Sequence, residues 1–78
     1  MKLLFFSHLK SVTGCSETTL PGSNLSEDEL WDKLMEEYPR LAPFRRCVRF
    51  ACNGEYVGHD ARFHADDEVA LIPPVSGG

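Results

Sequence analysis

Hydrophobic positions near the start of the chain predict two strands followed by a turn. The segment Lys2–His8 is apolar at both alternating sets of positions. Such a strand is buried on both faces, or is buried on one face and available for binding on the other. The Thr-rich segment Ser16–Leu20 predicts a second strand paired with the first, and the Pro-Gly-Ser-Asn sequence after it is typical of a turn.

The clearest element is a helix, predicted over Glu27–Tyr38. Ser26 followed three positions later by Glu29 forms a capping box, and the acidic first turn suits the positive end of the helix dipole. Apolar residues on one helical face recur four positions apart: Leu30, Leu34 and Tyr38. Pro39 ends the pattern.

Three further strands are predicted in the second half of the chain. Cys47–Cys52 alternates between apolar and other residues, and Asn53-Gly54 is a strong signal for a two-residue hairpin turn. Glu55–Val57 is the predicted returning strand. Glu68–Ile72 is the last strand, which stops before Pro73 because proline cannot donate a ladder hydrogen bond.

The order β-β-α-β-β-β predicts a single α+β domain over residues 1–78. The first strand suits a central position, and a last strand lying parallel beside it would place the helix across one face of a mixed sheet. That arrangement is the β-grasp, or ubiquitin-like, fold, with a mixed β-sheet of about four to five strands and one main helix packed on one face. Residues 73–78 form an extended C-terminal tail outside the predicted sheet.

Strand alternation also predicts which side chains face the helix. Leu3 and Phe5 of the first strand and Val69 and Leu71 of the last would face inward. The residues assigned to the opposite, outer face are Leu4, Phe6, Arg49, Ala70 and Ile72.

Charge and apolar content exclude several classes of partner. The net charge of −4, from 12 acidic and 8 basic residues, argues against a nucleic-acid-binding protein, which needs a concentrated basic face. The apolar run near Met1 is too short for a signal peptide or a membrane span. We therefore expect a cytoplasmic protein that binds neither nucleic acid nor membrane.

The chain offers few groups for catalysis or metal binding. Cys15, Cys47 and Cys52 are odd in number, which favours a reducing compartment over a disulfide framework. His59 and His64 have no accompanying ligand spacing, so no metal site is expected. Neither a nucleophile with a neighbouring base nor a phosphate-binding loop can be assembled, so no catalytic side chain is expected.

The C-terminal tail is the stretch whose chemistry packing does not explain. It consists of Pro73, Pro74, Val75, Ser76, Gly77 and Gly78. An α-carboxyl group has a pKa of about 3.3–3.7 and is therefore an anion at neutral pH. Such a tail reaches roughly 16–20 Å when extended. The glycines make its tip narrow, and the prolines restrict its freedom. These features favour a carboxylate that is delivered into the site of another protein.

Three segments carry a resemblance to a known family: "LLFFSHL", "ACNGEYVG" and "DDEVALIPPVSGG". They resemble the molybdopterin synthase small subunits, which are ubiquitin-like sulfur carriers of molybdenum cofactor biosynthesis, and the resemblance covers essentially the whole chain. It implies a β-grasp fold, in agreement with the strand order. It also maps the family's hydrophobic docking patch onto Phe6, Tyr56 and Ile72, with Arg49 at the rim, and assigns the tail residues to partner binding.

The resemblance further implies a reaction at the C-terminus. An ATP-dependent activating enzyme adenylates the Gly78 carboxylate, and a sulfur donor protein converts the product to a thiocarboxylate, with Gly77 giving access. The large synthase subunit then receives the tail, and sulfur passes to a cyclic pyranopterin precursor. No cofactor is expected to bind permanently, because the sulfur is carried covalently on Gly78. A heterotetramer of two small and two large subunits is implied.

Three other functions remain open at this point. A sulfur carrier of thiamine biosynthesis would have the same fold and the same terminal Gly-Gly. A ubiquitin-like modifier would be joined through Gly78 to lysines of other proteins. A structural or adaptor domain would use neither the tail nor its carboxylate.

Overall fold

The computed structural model describes residues 1–73, and the segment 74–78 lies outside the described residues. Five strands, two α-helices and a 3₁₀ helix follow one another along this part of the chain. Their bounds are β1 Lys2–Phe5, α1 Leu9–Thr13, β2 Glu17–Thr19, α2 Glu27–Glu37, the 3₁₀ helix Pro39–Phe44, β3 Arg49–Cys52, β4 Glu55–Tyr56 and β5 Glu68–Ile72.

The strands form one mixed sheet in the order β2-β1-β5-β3-β4. The central pair, β1 and β5, is parallel, with Leu3 opposite Val69 and Phe5 opposite Leu71. The other three pairs are antiparallel. With α2 packed on one face, this is the β-grasp arrangement that the sequence predicts, and the prediction of a parallel contact between the first and last strands is confirmed.

Helix α2 begins with the predicted capping box. The Ser26 hydroxyl accepts the Glu29 backbone N–H at 3.2 Å, and the Glu29 carboxylate accepts the Ser26 backbone N–H at 2.9 Å. These bonds to Ser26 lower the pKa of Glu29 below its ordinary value. The helix ends at Glu37, one residue earlier than predicted, and Tyr38 caps it by donating its N–H to the Leu34 carbonyl at 2.7 Å.

The core lies between α2 and the inner face of the sheet. The predicted inward residues Leu3, Phe5, Val69 and Leu71 are all buried there. Aromatic contacts add to this packing, since the Phe50 ring lies between the rings of Trp31, at 5.2 Å, and Phe63, at 5.4 Å. Phe63 belongs to a segment predicted to be irregular. Its backbone exchanges hydrogen bonds with Leu25, which holds this loop over the core.

The first predicted strand is too long at its C-terminal end. Strand β1 ends at Phe5, and the chain turns at Ser7, whose φ of 52° is incompatible with an extended strand. His8 is the N-cap of α1, a short helix that the sequence analysis missed. Leu9 of this helix is buried in the core, so tertiary packing explains a helix in a segment with little helical pattern of its own.

The third predicted strand starts too early, because its first residues follow a 3₁₀ helix that was not predicted. The backbone N–H groups of Cys47 and Val48 both donate to the Phe44 carbonyl, so the extended strand begins only at Arg49. The hairpin turn after it is as predicted. Asn53 and Gly54 both have positive φ, of 52° and 89°, as this two-residue turn requires.

Candidate functional site

No helix of residues 1–73 packs on the outer face of the sheet, which presents a row of mostly apolar residues. Strand register places Leu4 opposite Ala70, Ala70 opposite Ala51, and Ala51 opposite Tyr56. Leu4 and Ala70 are half-buried, and Ala51 is only 6% exposed because its neighbours in the row flank it. Tyr56, at the edge of the sheet, is 58% exposed. An apolar surface of this kind is typical of a protein-binding face.

One end of the outer face lies where the chain leaves β5. Ile72, the last residue of β5, is half-buried and pairs with Arg49 of β3. Phe5, the last residue of β1, lies opposite Leu71 in the parallel strand β5, so the next residues, Phe6 and Ile72, are neighbours. The Phe6 side chain is 43% exposed. The structure therefore brings Phe6 and Ile72 to the same end of two adjacent strands. Phe6 itself lies in the connection after β1, not on the strand as predicted.

Arg49 stacks on an aromatic ring. Its guanidinium carbon lies 4.5 Å from the centroid of the Tyr56 ring, within the range of a cation–π interaction. The two residues sit on neighbouring strands of the outer face. Their contact joins Tyr56 of the predicted patch to the residue predicted at its rim, and no pattern in the sequence predicts the contact.

The other end of the outer face is charged, with one lysine between two carboxylates. Lys2 of β1 lies 3.3 Å from a Glu17 carboxylate oxygen of β2 and 4.0 Å from one of Glu68 in β5. All three side chains are about half exposed, so each pair adds little to stability. This charged end bounds the apolar row on the side away from Ile72.

The hairpin that carries Tyr56 is tied to the start of β5 by side-chain hydrogen bonds. The Asn53 side chain donates to Asp67 at 3.2 Å and accepts the Glu68 backbone N–H at 3.0 Å. The other Asp67 oxygen accepts the His64 backbone N–H at 2.8 Å. The His64 N–H, followed by the Asn53 amide, holds the pKa of Asp67 below its ordinary value of 3.8. The Asn-Gly pair predicts the turn but not this anchor.

The cysteines and histidines form no reactive cluster in the described part of the chain. All three cysteines are free of disulfide bonds. Burial, assisted by the nearby Asp67, raises the pKa of the Cys52 thiol to about 11, so it stays protonated at neutral pH. His59 contacts Glu27 at 2.9 Å on the helix side of the molecule. Within residues 1–73, no group of three potential ligands is placed to hold a metal ion.

The predicted tail is described only at its first residue. Pro73 is half-buried and directly follows Ile72 on β5. Pro74, Val75, Ser76, Gly77 and Gly78 lie outside the described residues, so their assigned roles stay predictions. Among the helices of residues 1–73, none combines the length and apolar character needed to cross a membrane.

Comparison with known proteins gives one family and a consistent set of relatives. The model of the ThiS family matches residues 3–78. A curated relative, the molybdopterin synthase sulfur carrier subunit of Arabidopsis thaliana, is 37% identical over 79 residues, which cover 100% of this chain and 82% of the relative.

Two solved structures are similar over nearly the whole chain. SAMP1 (small archaeal modifier protein 1) from Haloferax volcanii has a TM-score of 0.79 and 27% identity, and covers 100% of this chain and 98% of its own. The second is a protein–protein complex of subunits 1 and 2 of the molybdopterin-converting factor from Helicobacter pylori. Its matching chain has a TM-score of 0.71 and 22% identity, with 99% of this chain and 96% of the other covered. At that identity the second likeness concerns the fold alone.

Proposed function

The chain belongs to the ThiS family, and on that premise we propose that it is the sulfur carrier subunit of a molybdopterin synthase. The observation that carries the proposal is the position of the outer face. One end of this face is at Ile72, the last residue of β5, and the tail begins at the next residue, so a protein docked on this face would also meet the tail. The name of the Arabidopsis relative supports the assignment to molybdopterin synthesis.

In the proposed reaction, the tail carries the chemistry. The Gly78 carboxylate attacks the α-phosphorus of ATP on an activating enzyme, releasing pyrophosphate and leaving an acyl-adenylate. A persulfide on a donor protein then displaces AMP and forms an acyl disulfide with the carrier. A thiol that attacks the donor's sulfur breaks the S–S bond, which releases the thiocarboxylate and leaves a disulfide on the donor side. Gly77 and Gly78 lack side chains, which allows the tip to enter a narrow site.

The sulfur is then delivered on the large synthase subunit. The outer face docks there, with Phe6, Tyr56 and Ile72 as the apolar contacts, and the tail places the thiocarboxylate against a cyclic pyranopterin precursor. Two rounds of transfer supply the two sulfur atoms of the dithiolene. The folded domain of the carrier binds and positions, and the large subunit supplies the catalytic side chains. We propose a heterotetramer of two carriers and two large subunits, as the resemblance to molybdopterin synthase small subunits implies.

We place this chemistry in the cytoplasm. Cys47 is exposed and the other two cysteines are half-buried, and all three are free thiols in the structure. A reducing compartment is the environment in which such thiols persist.

The test is reconstitution with the large subunit and the cyclic pyranopterin precursor. The thiocarboxylated chain should yield dithiolene product, and the free-carboxylate chain should yield none. Deleting Gly78 should abolish transfer while leaving the unfolding free energy unchanged. Ser76→Ala is the matched control in the same tail and should retain transfer. Full transfer by a chain whose terminus is blocked would overturn the proposal.

A second candidate is a ubiquitin-like protein modifier, which the similarity to small archaeal modifier protein 1 favours. Intact mass of the chain purified from its own cells separates the two functions. A carrier gains the mass difference between sulfur and oxygen, confirmed by alkylation or fragmentation of the tail. A modifier appears in larger conjugates joined to lysine. Association with a thiazole synthase instead of the large subunit would point to thiamine biosynthesis.

A further inference from the structure

Arg49 is a cation at the border of the apolar outer face, and within residues 1–73 no carboxylate lies within ion-pairing distance of it. Two other arginines of the described chain do have such partners. Arg45 lies 3.1 Å from Asp28, and Arg62 lies 3.5 Å from Glu29. Arg49 is instead exposed and held over Tyr56.

The contact with Tyr56 holds the guanidinium without using its hydrogen-bond donors. A cation over a ring interacts with the face of that ring, whereas the N–H groups of a guanidinium point outward in its own plane. No hydrogen bond from the Arg49 side chain to residues 1–73 accompanies the stacking. The stacking favours this position before binding, which lowers the entropy cost of using Arg49 in binding.

Docking on the outer face changes the environment of this charge. Arg49 pairs with Ile72 in the sheet and touches Tyr56, so a partner that covers either apolar residue also removes water from the guanidinium. A desolvated charge without an opposite charge is costly. A carboxylate is the group that best satisfies a planar guanidinium, because the two form paired, charge-assisted hydrogen bonds.

The two ends of the outer face also differ in charge. Arg49 supplies positive charge at the end where the tail begins, and the cluster of Lys2, Glu17 and Glu68 at the other end has one more negative than positive charge. A partner carboxylate aligned with the wrong end would meet like charge. Charge complementarity of this kind sets the orientation of a complex more than its total affinity.

We propose that the protein surface docking on the outer face presents an Asp or Glu carboxylate to Arg49, and that this ion pair, beside Ile72, aligns the partner with the start of the tail. The inference rests on the proposed function, in which that partner is the large synthase subunit. It adds an acidic side chain to an otherwise apolar binding surface.

The experiment measures binding of the full-length chain to the large subunit, with Arg49→Gln and Arg49→Glu compared with Arg62→Gln. Arg62 is an exposed arginine beside α2, on the other side of the sheet, and is the matched control. Arg49→Gln should weaken the affinity about 30-fold and Arg49→Glu by more, whereas Arg62→Gln should stay within about twofold. Thermal unfolding of each variant checks that the domain is intact.

Charge reversal on the partner identifies the carboxylate. Each Asp and Glu of the large subunit's binding surface is changed to Lys and tested against Arg49→Glu, and one such change should restore affinity. The salt dependence of association should be weaker for Arg49→Gln than for wild type. An Arg49→Gln affinity equal to that of Arg62→Gln would contradict the inference while leaving the proposed function intact. Absence of wild-type binding would instead count against the proposed function.

One alternative partner for Arg49 lies within the chain itself, namely the α-carboxylate of Gly78. A chain carrying a C-terminal amide removes that charge. The effect of Arg49→Gln should be the same in the amidated and the free chain. If amidation eliminates the effect, the tail is the partner of Arg49 and the inference is wrong.

Discussion

The two faces of the sheet are built from the same strands but have opposite roles. On β5, Val69 and Leu71 are fully buried beneath α2, whereas Ala70 and Ile72 between and after them are half-buried on the outer face. On β1, Leu3 is buried and Leu4 is partly exposed in the same way. Adjacent residues of one strand therefore differ in burial: the inner set stabilises the fold, and the outer set is the one that contacts the partner in the proposed function.

The difference shows how a domain of 78 residues can combine a core with a binding surface. A small domain buries a limited fraction of its surface, so covering both faces of the sheet is difficult. Here one helix covers one face, and the other face keeps exposed apolar side chains such as Tyr56. Such a surface is tolerable because small and half-buried residues, Ala70 among them, make up much of it.

The largest expected effect comes from truncating the inner face. Leu71→Ala should lower the unfolding free energy by about 2–5 kcal/mol, because it opens a cavity in a fully buried site. Ile72→Ala, one position along the same strand, should cost about 1 kcal/mol or less. Urea unfolding followed by fluorescence of the buried Trp31 measures both. Equal losses for the two variants would show that the faces do not differ in packing.

The second expected effect concerns the outer face, where a substitution should weaken binding and leave stability nearly unchanged. Tyr56→Ala should weaken binding to the proposed large subunit about 30-fold, as expected for an exposed aromatic anchor. Its unfolding free energy should change by about 0.5 kcal/mol or less. Isothermal titration calorimetry and urea unfolding give the two numbers.

Glu55→Ala is the control for that experiment, because Glu55 is the neighbouring residue of β4 and its side chain points to the other face. It should leave binding within about twofold of wild type. If Glu55→Ala and Tyr56→Ala weaken binding equally, the outer face is not the docking surface.

The smallest expected effect concerns the pH dependence of stability, which depends on the Asp67 carboxylate that anchors the hairpin carrying Tyr56. The folded-state pKa of Asp67 lies below its ordinary value of 3.8, so Asp67 contributes stability that is present above that pH and lost as the pH falls through the folded pKa. Asp67→Asn should therefore be less stable at pH 7 and should lose less stability between neutral pH and pH of about 3. Urea unfolding across this range measures the slope.

Asp66→Asn is the matched control, because within residues 1–73 Asp66 makes no hydrogen bond or ion pair. Its stability should follow the wild-type pH dependence. The role given to the Asn53–Asp67 anchor is wrong if both variants have the same pH profile as wild type.

Much of the fold could be predicted because its signals are local. The Ser26–Glu29 capping box and the Asn53-Gly54 turn each depend on a few consecutive residues, and both are confirmed. Helix α1 and the 3₁₀ helix Pro39–Phe44 were missed because their sequences contain no sustained apolar period. Burial of Leu9 and Leu41 against the core stabilises them, and that contact depends on distant residues.

The resemblance names residues for the candidate site, which stay a prediction, but it gives no geometry for them. The resemblance selects Phe6, Tyr56 and Ile72, and the structure leaves the first two exposed and the third half-buried. The sequence analysis also placed Arg49 at the rim but had no means to show it over the Tyr56 ring. Side chains on different strands meet only when the register between those strands is known.

The sequence by itself determined the alternation of the strands, the start of α2 and the hairpin turn, since each depends on neighbouring residues. Tertiary structure alone decided where β1 ends, where β3 begins, the two additional helical segments and the contact of Arg49 with Tyr56. These features depend on which distant segments pack together. The free energy of that packing, chiefly burial of apolar surface, outweighs the weak local preferences of the residues involved.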